Sequence, residues 1–335
     1  MTKTVEPEVR NGTLGSGSPQ LVENSRNRIA TDTGRCHDSP MVPYLTTTLG
    51  ALYQSDCLSF MRCMKSETVD TIFADPPFNL GKDYKNPFND KVSEQEYFEW
   101  CKNWIFEGSR ILKPGGAFFL YATPELALKF GRFLEQRLQF RHWIALSMKG
   151  TFPRGRKLYP AHYALLYYTR GVPRTFNKVR LPIPICRHCG GELKDYGGHR
   201  KKLNPKGLNL TDFWDDTSPN RHKKFKVRLG VNELKLVIPE RAVLMSTDRG
   251  DLVFDPFGGG GSTYQVAEMN RRRWIGTELF DCHHIRRRME ETFPLSLDRK
   301  PEFPLEELFD EDHDNEVLRR GKGTDLPARA LRVVS

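Results

Sequence analysis

An α/β fold with a doubly wound sheet is what this sequence of 335 residues predicts. Three observations carry that prediction. The runs Val69–Ala74 and Gly250–Phe254 are short, apolar and β-favouring, as strands buried in a parallel sheet are. Each stops at an acidic residue followed by proline, in Asp75-Pro76-Pro77-Phe78 and Asp255-Pro256-Phe257-Gly258. Around them β-like runs alternate with helix-compatible stretches, the rhythm of a sheet covered on both faces.

The elements follow in chain order. Residues 1–40 are rich in Ser, Thr, Asn, Gly and charge without a hydrophobic period, so a disordered tail is expected there. A catalytic half is expected over 41–170. It opens with a strand through Thr46–Tyr53, and Asp56 then suits the N-cap of a helix from Cys57 to Lys65. Val69–Ala74 comes next and ends at Asp75-Pro76-Pro77-Phe78. The two prolines lack an N–H and hold φ, so they stiffen the strand end and leave its carbonyls pointing outward. Asn79 to Asp90, with Tyr84 and Phe88, has the length of an active-site loop. Ser93, three residues before Glu96, is a capping-box signature for a helix that stops at Lys113-Pro114-Gly115-Gly116. A strand over Ala117–Tyr121, a helix from Pro124 to about Leu138, and β-like runs Trp143–Met148 and His162–Tyr168 complete this half.

Residues 171–230 lose periodicity and form a basic insert. The window 141–230 holds 20 Lys+Arg against 5 Asp+Glu in a chain of net charge +10, so the remainder is net −5. A basic block within a mildly acidic protein, interleaved with Phe152, Tyr159, Phe176, Tyr196, Phe213, Trp214 and Phe225, is the electrostatic footprint of nucleic-acid binding. Cys186-Arg187-His188-Cys189 has the spacing of half a zinc site; His199 is a candidate third ligand and His188 or His222 a fourth. The alternative is a pair of reduced thiols in a basic turn.

A second half is expected over 231–295, with a helix to about Ser246, the strand ending at Asp255, a helix over Thr263–Asn270, and a strand Trp274–Thr277 ending in Glu278. Strand, acid, glycine run, helix, strand, acid is the layout of a nucleoside-binding βαβ unit, with Glu278 placed for two ribose hydroxyls. The run Gly258-Gly259-Gly260-Gly261-Ser262 lacks the Gly-Lys-Ser/Thr ending of a phosphate loop and departs from dinucleotide spacing. A cofactor carrying adenosine without phosphates, S-adenosylmethionine, fits these residues better. Residues 296–335 read as a charged tail. No stretch approaches the roughly 20 apolar residues that span a bilayer, and the N-terminus lacks the apolar core of a secretory signal.

The two motifs, their order and the basic block between them resemble the DNA amino-methyltransferases of the permuted β class, over roughly residues 46–290. The resemblance implies a Rossmann-like methyltransferase sheet with circularly permuted motif order and an inserted target-recognition region. It implies that Asp75 and the Pro76 carbonyl, stiffened by Pro77, accept hydrogen bonds from the target amino group while Phe78 stacks on the base. Asp255, Phe257, Gly258, Gly259 and Gly261 would line the methionine and adenosine, with Asp75 facing them. Glu278 would hold the ribose, and Asp56, next to Cys57, would reach the adenine. The expected substrate is duplex DNA with its target base flipped out, methylated at adenine N6 and, as the alternative, at cytosine N4. None of the seven cysteines follows a proline, unlike the cytosine-C5 enzymes. A non-catalytic DNA-binding protein on the same fold is the rival from another class, disfavoured by intact Asp75, Phe78 and Glu278. Where the family often carries a His-Pro…Lys-Pro run, this chain has Asn232-Glu233-Leu234-Lys235. A cytoplasmic, nucleoid-associated protein is expected; a homodimer and a cognate restriction endonuclease are partners that the residues leave open.

Overall fold

The computed structural model describes residues 42–79, 92–148, 156, 158, 160–186, 188–195, 197–198, 200–217 and 233–310. The N-terminal tail, the loop with Tyr84 and Phe88, and Phe152, Tyr159, Tyr196, His199, His222 and Phe225 lie outside these residues.

The run Val69–Ala74 forms β3, buried at every position, which is what a continuous apolar run needs in order to lose its surface to water. Among the described residues it sits at the middle of a nine-stranded sheet. On one side come β10 (Leu252–Asp255), β11 (Arg273–Glu278), β2 (Gly50–Gln54) and the edge strand β1 (Leu45–Thr46). On the other side come β4 (Leu112–Ala122), β6 (His162–Thr169), β5 (Gln139–Ser147) and β9 (Phe213–Trp214). The five strands from β2 to β4 run parallel. β6 lies antiparallel to both β4 and β5.

Helices cover both faces. α1 (Cys57–Cys63), α2 (Glu94–Ile111) and α3 (Pro124–Leu134) pack into one core with Trp104, Phe118 and Phe130. α4 (Val237–Ser246), α5 (Ser262–Met269) and α6 (His283–Thr292) pack on the other face with Ile238, Trp274 and Ile285. The local signals place the helix starts. Ser93 and Glu96 form the expected capping box at α2. Thr123 caps α3, with Pro124 at its first turn.

The two halves of the chain join where β10 pairs with β3, Val253 opposite Thr71 and Phe254 opposite Ile72. The order of connection reverses at this seam, so it is the switch point at which open α/β sheets leave a crevice at the strands' carboxyl ends. The opposite edge is stapled by Asp70, which is 2% exposed. Its carboxylate takes both Lys113 Nζ contacts (3.0 and 2.9 Å), the Leu252 N–H (2.8 Å) and Arg174 (2.9 Å). A buried carboxylate is tolerated because each oxygen is paired. The same ion cluster fixes the chain as it enters the insert, since Arg174 also reaches Asp251 at 2.7 Å.

Three expectations are corrected. Thr46–Tyr53 is a hairpin, not one strand: the Thr47 N–H turns back to the Gly50 carbonyl, and buried Thr47 donates its hydroxyl to Glu268 at 2.7 Å. The insert is not all loop. β7 (Arg180–Leu181) pairs with β8 (Leu208–Asn209), and β9 joins the main sheet beside β5. Residues 296–310 are not a loose charged tail. Asp298 and Glu302 donate backbone N–H groups to the carbonyls of Thr46 and Thr48, and Phe303 and Leu308 are buried in the α1–α2 core. The apolar residues Leu297, Phe303, Leu305, Leu308 and Phe309 are scattered among charges, which hid this strap from a reading by composition.

If the strap is structural, Leu308→Ala should lower stability by roughly 2–4 kcal/mol, the usual range for emptying a buried leucine site. Denaturant unfolding of the full chain measures this.

Candidate functional site

Four neighbouring parallel strands end at the same edge, and each carries one of the acidic residues singled out above. Asp75 follows β3, Asp255 closes β10, Glu278 closes β11, and Asp56 follows β2. The sheet order makes β3, β10, β11 and β2 adjacent, so the sequence-distant residues are brought together by topology alone.

At β3 the backbone turns through Asp75-Pro76-Pro77-Phe78, and the Tyr97 hydroxyl donates to the Pro77 carbonyl at 2.7 Å. Asn79 follows at φ 54°, a left-handed conformation that asparagine tolerates. Its side-chain amide donates to the Val92 carbonyl and accepts the Val92 N–H, each at 3.0 Å. That pair of bonds ties the motif to the start of α2. Phe78 is half-buried, its ring centroid 6.0 Å from that of Tyr121.

At β10 the Asp255 side chain is 4% exposed and accepts the Phe257 N–H at 2.9 Å. Burial pushes its carboxyl up to about 8, and the Asp75 and Glu278 carboxylates add to the rise against the opposing hydrogen bonds from Thr263 and Phe257. Three carboxylates therefore feel one another across this edge. Phe257 packs edge-on against Trp104 at 5.1 Å and Trp100 at 5.8 Å, which fixes the start of the loop on α2.

The glycines are explained mostly by what lies beneath them. A Cβ on Gly258 would come within 2.8 Å of Ile285 Cδ1, and one on Gly261 within 2.9 Å of Ile285 Cγ2. Gly259 has φ +51°, and a Cβ there would meet nothing closer than the Phe257 carbonyl oxygen at 3.8 Å. Its N–H donates to the Glu278 carboxylate at 2.8 Å, and the Gly258 N–H to the Thr277 carbonyl at 2.8 Å. The loop is thus stitched to β11. Beneath Gly260 lies a pair that sequence reasoning missed: Glu233 and Arg288 at 2.9 Å, side chains 1% and 3% exposed. Arg288 also donates to Gln265 on α5. The segment Glu233-Leu234-Lys235 therefore meets the loop through Glu233, and its signal was only a charge in the place of a histidine-proline run.

Asp56 accepts the Ser59 N–H at 2.8 Å and is the N-cap of α1. The neighbouring Ser55 N–H donates to the Glu278 carbonyl at 3.1 Å, which holds this turn against β11. Cys57 is buried in the α1–α2 core; burial, then Asp56 and Cys101, push its thiol well above the usual range. Its thiol is a packing group.

The zinc expectation finds no support among the described residues. Among the described residues no group of three His, Cys, Asp or Glu is placed to hold a metal ion. Cys186 and Cys189 lie in a tight turn, with the Gly190 N–H on the Cys186 carbonyl and the Cys186 N–H on the Gly191 carbonyl, both at 2.8 Å. Backbone N–H groups of Cys189 and His188 and the Cys189 thiol pull the Cys186 thiol down. Two thiols supply half of a tetrahedral set, and His199 lies outside the described residues. One aromatic of the basic insert is corrected. Trp214, expected on a nucleic-acid surface, is 1% exposed and anchors the insert. Its ring carries Arg241 at 5.0 Å, and Arg241 in turn holds Asp216 at 2.9 Å. Phe213 and Phe176 remain exposed.

The Asp255 carboxyl gives a prediction for stability. Its folded value of about 8 lies above an ordinary carboxyl value of 3.8, so its contribution is complete at acid pH and is lost as pH rises through 8. Asp255→Asn should flatten the decline in stability between pH 4 and 8, as read from unfolding free energies across that range.

The family model of N6/N4 methyltransferases, described as DNA methylase, matches residues 69–283. The Type II methyltransferase M.BamHI of Bacillus amyloliquefaciens is 44% identical over 300 residues, 87% of this chain and 70% of that protein. The Type II methyltransferase M.HpaI of Haemophilus parainfluenzae is 27% identical over 228 residues, 67% of this chain and 68% of that protein. Among solved structures, the PvuII DNA methyltransferase (cytosine-N4-specific) superposes with TM-score 0.50 at 18% identity, covering 71% of this chain and 84% of that one. TTHA0409 of Thermus thermophilus superposes with TM-score 0.51 at 18% identity, covering 73% and 95%. These two likenesses speak for a shared fold. With a family match that begins at β3 and runs past Glu278, and a relative at 44% identity over most of its length, the chain belongs to the DNA methylase family of N6/N4 amino-methyltransferases.

Proposed function

We propose that the chain methylates the exocyclic amino group of a base flipped out of duplex DNA, with S-adenosylmethionine as the methyl donor. The observation that supports this most is the adjacency of Asp75, behind β3, to Asp255 and Glu278, behind β10 and β11. The donor set is acidic and holds no phosphate-loop lysine, which suits an adenosine ligand bearing a sulfonium and an ammonium. Asp255, Phe257, Gly258, Gly259 and Gly261 would hold it, with Glu278 on the ribose and Asp56 and the Cys57 backbone toward the adenine. When bound, it supplies an electrophilic methyl group on a cationic sulfur.

The remaining chemistry belongs to the chain. An exocyclic amine is a weak nucleophile because its lone pair is delocalised into the ring. Asp75 and the Pro76 carbonyl accept its two N–H groups, which localises the lone pair and favours sp³ geometry. Pro77, braced by Tyr97, keeps that carbonyl in place, and Phe78 stacks on the base. Such a step draws on positioning and electrostatics more than on acid–base exchange. A duplex buries the amino group, so the base has to leave the stack. The surplus of positive charge across 141–230 offers the phosphate contacts that hold the duplex.

Adenine N6 is the first reading, from Asp at the head of the motif. Cytosine N4 is the second: the PvuII enzyme that shares the fold is cytosine-N4-specific, and the same acceptor pair can serve either amine. By analogy with the Type II relatives, we propose a cognate endonuclease for the same site and a cytoplasmic location on the nucleoid.

Transfer of labelled methyl groups to plasmid DNA followed by nucleoside analysis tests the reading. N6-methyladenine is expected, and N4-methylcytosine would establish the second reading. Asp75→Ala should reduce transfer by roughly 10²–10³-fold or more while the chain still binds the cofactor. Cofactor binding without any label in DNA would overturn the enzymatic reading.

A further inference from the structure

Beside the catalytic motif, β4 brings up a residue that neither motif contains. Ala74 of β3 pairs with Leu120 of β4, so Asp75 and Tyr121 are the next residues of two adjacent parallel strands at the same edge. Tyr121 is 3% exposed. Its ring lies 6.0 Å from Phe78 at 34° and 5.1 Å from Tyr163 of β6 at 30°. A row of three rings thus leads away from the amine acceptor. Burial, then the Asp75 carboxylate and Tyr163, raise the Tyr121 phenol well above its ordinary value. It therefore stays an O–H donor throughout the working range of an enzyme.

A carboxylate that accepts, with a phenol that donates next to it, has a complement among the bases. Adenine and cytosine present an amino donor beside a ring-nitrogen acceptor, N1 and N3 respectively. Guanine at its O6/N1–H edge and thymine at its O4/N3–H edge present a carbonyl acceptor beside an N–H donor and would set like against like at both positions. We propose that Tyr121 is a specificity-determining residue whose hydroxyl donates to the ring nitrogen next to the target amino group while Asp75 accepts from the amine. This rests on the reading of DNA amino-methylation above. Sites built to hydrogen-bond a substrate group reject analogues lacking it, because the partner is left unpaired.

The test is a cycle between protein and substrate. The full chain and Tyr121→Phe are each assayed on a cognate duplex and on one whose target base is the deaza analogue, 1-deazaadenine or 3-deazacytosine as nucleoside analysis dictates. The native protein should lose roughly 10- to 100-fold in kcat/KM on the deaza duplex. Tyr121→Phe should lose a similar factor on the cognate duplex and little more on the deaza duplex, with cofactor affinity unchanged. Independent, multiplying losses would overturn the proposal, as would full activity of Tyr121→Phe on the cognate duplex. The native protein's own response to the deaza duplex needs no substitution, so undiminished activity there also overturns it. Absence of any methyl transfer by the native protein would sink the underlying reading, and the proposal with it; a lost coupling alone refutes only the role of Tyr121.

Discussion

Three carboxylates at the carboxyl edge of adjacent strands are costly to keep together, and the structure is arranged around that cost. Asp255 carries most of it: buried and between two other acids, it is held in its neutral form up to about pH 8. Such clustering in a cleft is a mark of function more than of stability. A sulfonium donor would bring a positive charge to this acidic edge, at the place where a methyl group would be transferred.

The fold supplies the cluster by joining two halves of the chain at one seam. β3 ends in the proposed amine-binding motif and β10 in the proposed cofactor loop, and their pairing places the two side by side although 180 residues separate Asp75 from Asp255. The Asp70 ion cluster holds the other end of the same seam, so the strands cannot slide relative to each other without unpairing a buried charge. Under the loop, Glu233 and Arg288 perform a similar task for Gly260. Removing one partner would leave the other charge buried, which makes the pair a rigid support although its net contribution to stability is small.

Much of this was legible in the residues. The apolar run Val69–Ala74 and its proline stop located the central strand and the motif at its end, because a fully buried strand has a distinctive composition. Ser93 and Glu96 set the start of α2 because capping is a local interaction. Other features depend on partners remote in sequence. Trp214 looked like a nucleic-acid contact because nothing in its neighbourhood announces Arg241 or β5. α6, rich in Arg and Glu, buries only Ile285, Arg288 and Met289, too few apolar positions to show a helical period. Tyr121 sits within an ordinary strand and acquires its meaning only from the register with β3. The glycine run pointed to a ligand, whereas packing on Ile285 explains two of its members.

If the acidic edge receives a cationic cofactor, binding should displace a proton from Asp255, and proton exchange tests this most directly. Calorimetric titration of S-adenosylmethionine into the full chain at about pH 7.5, just below the folded Asp255 value, is repeated in buffers of different ionisation enthalpy to count the protons that accompany binding. The native protein should release a substantial fraction of a proton more than Asp255→Asn does. Tight binding with the same proton exchange in both proteins would contradict this.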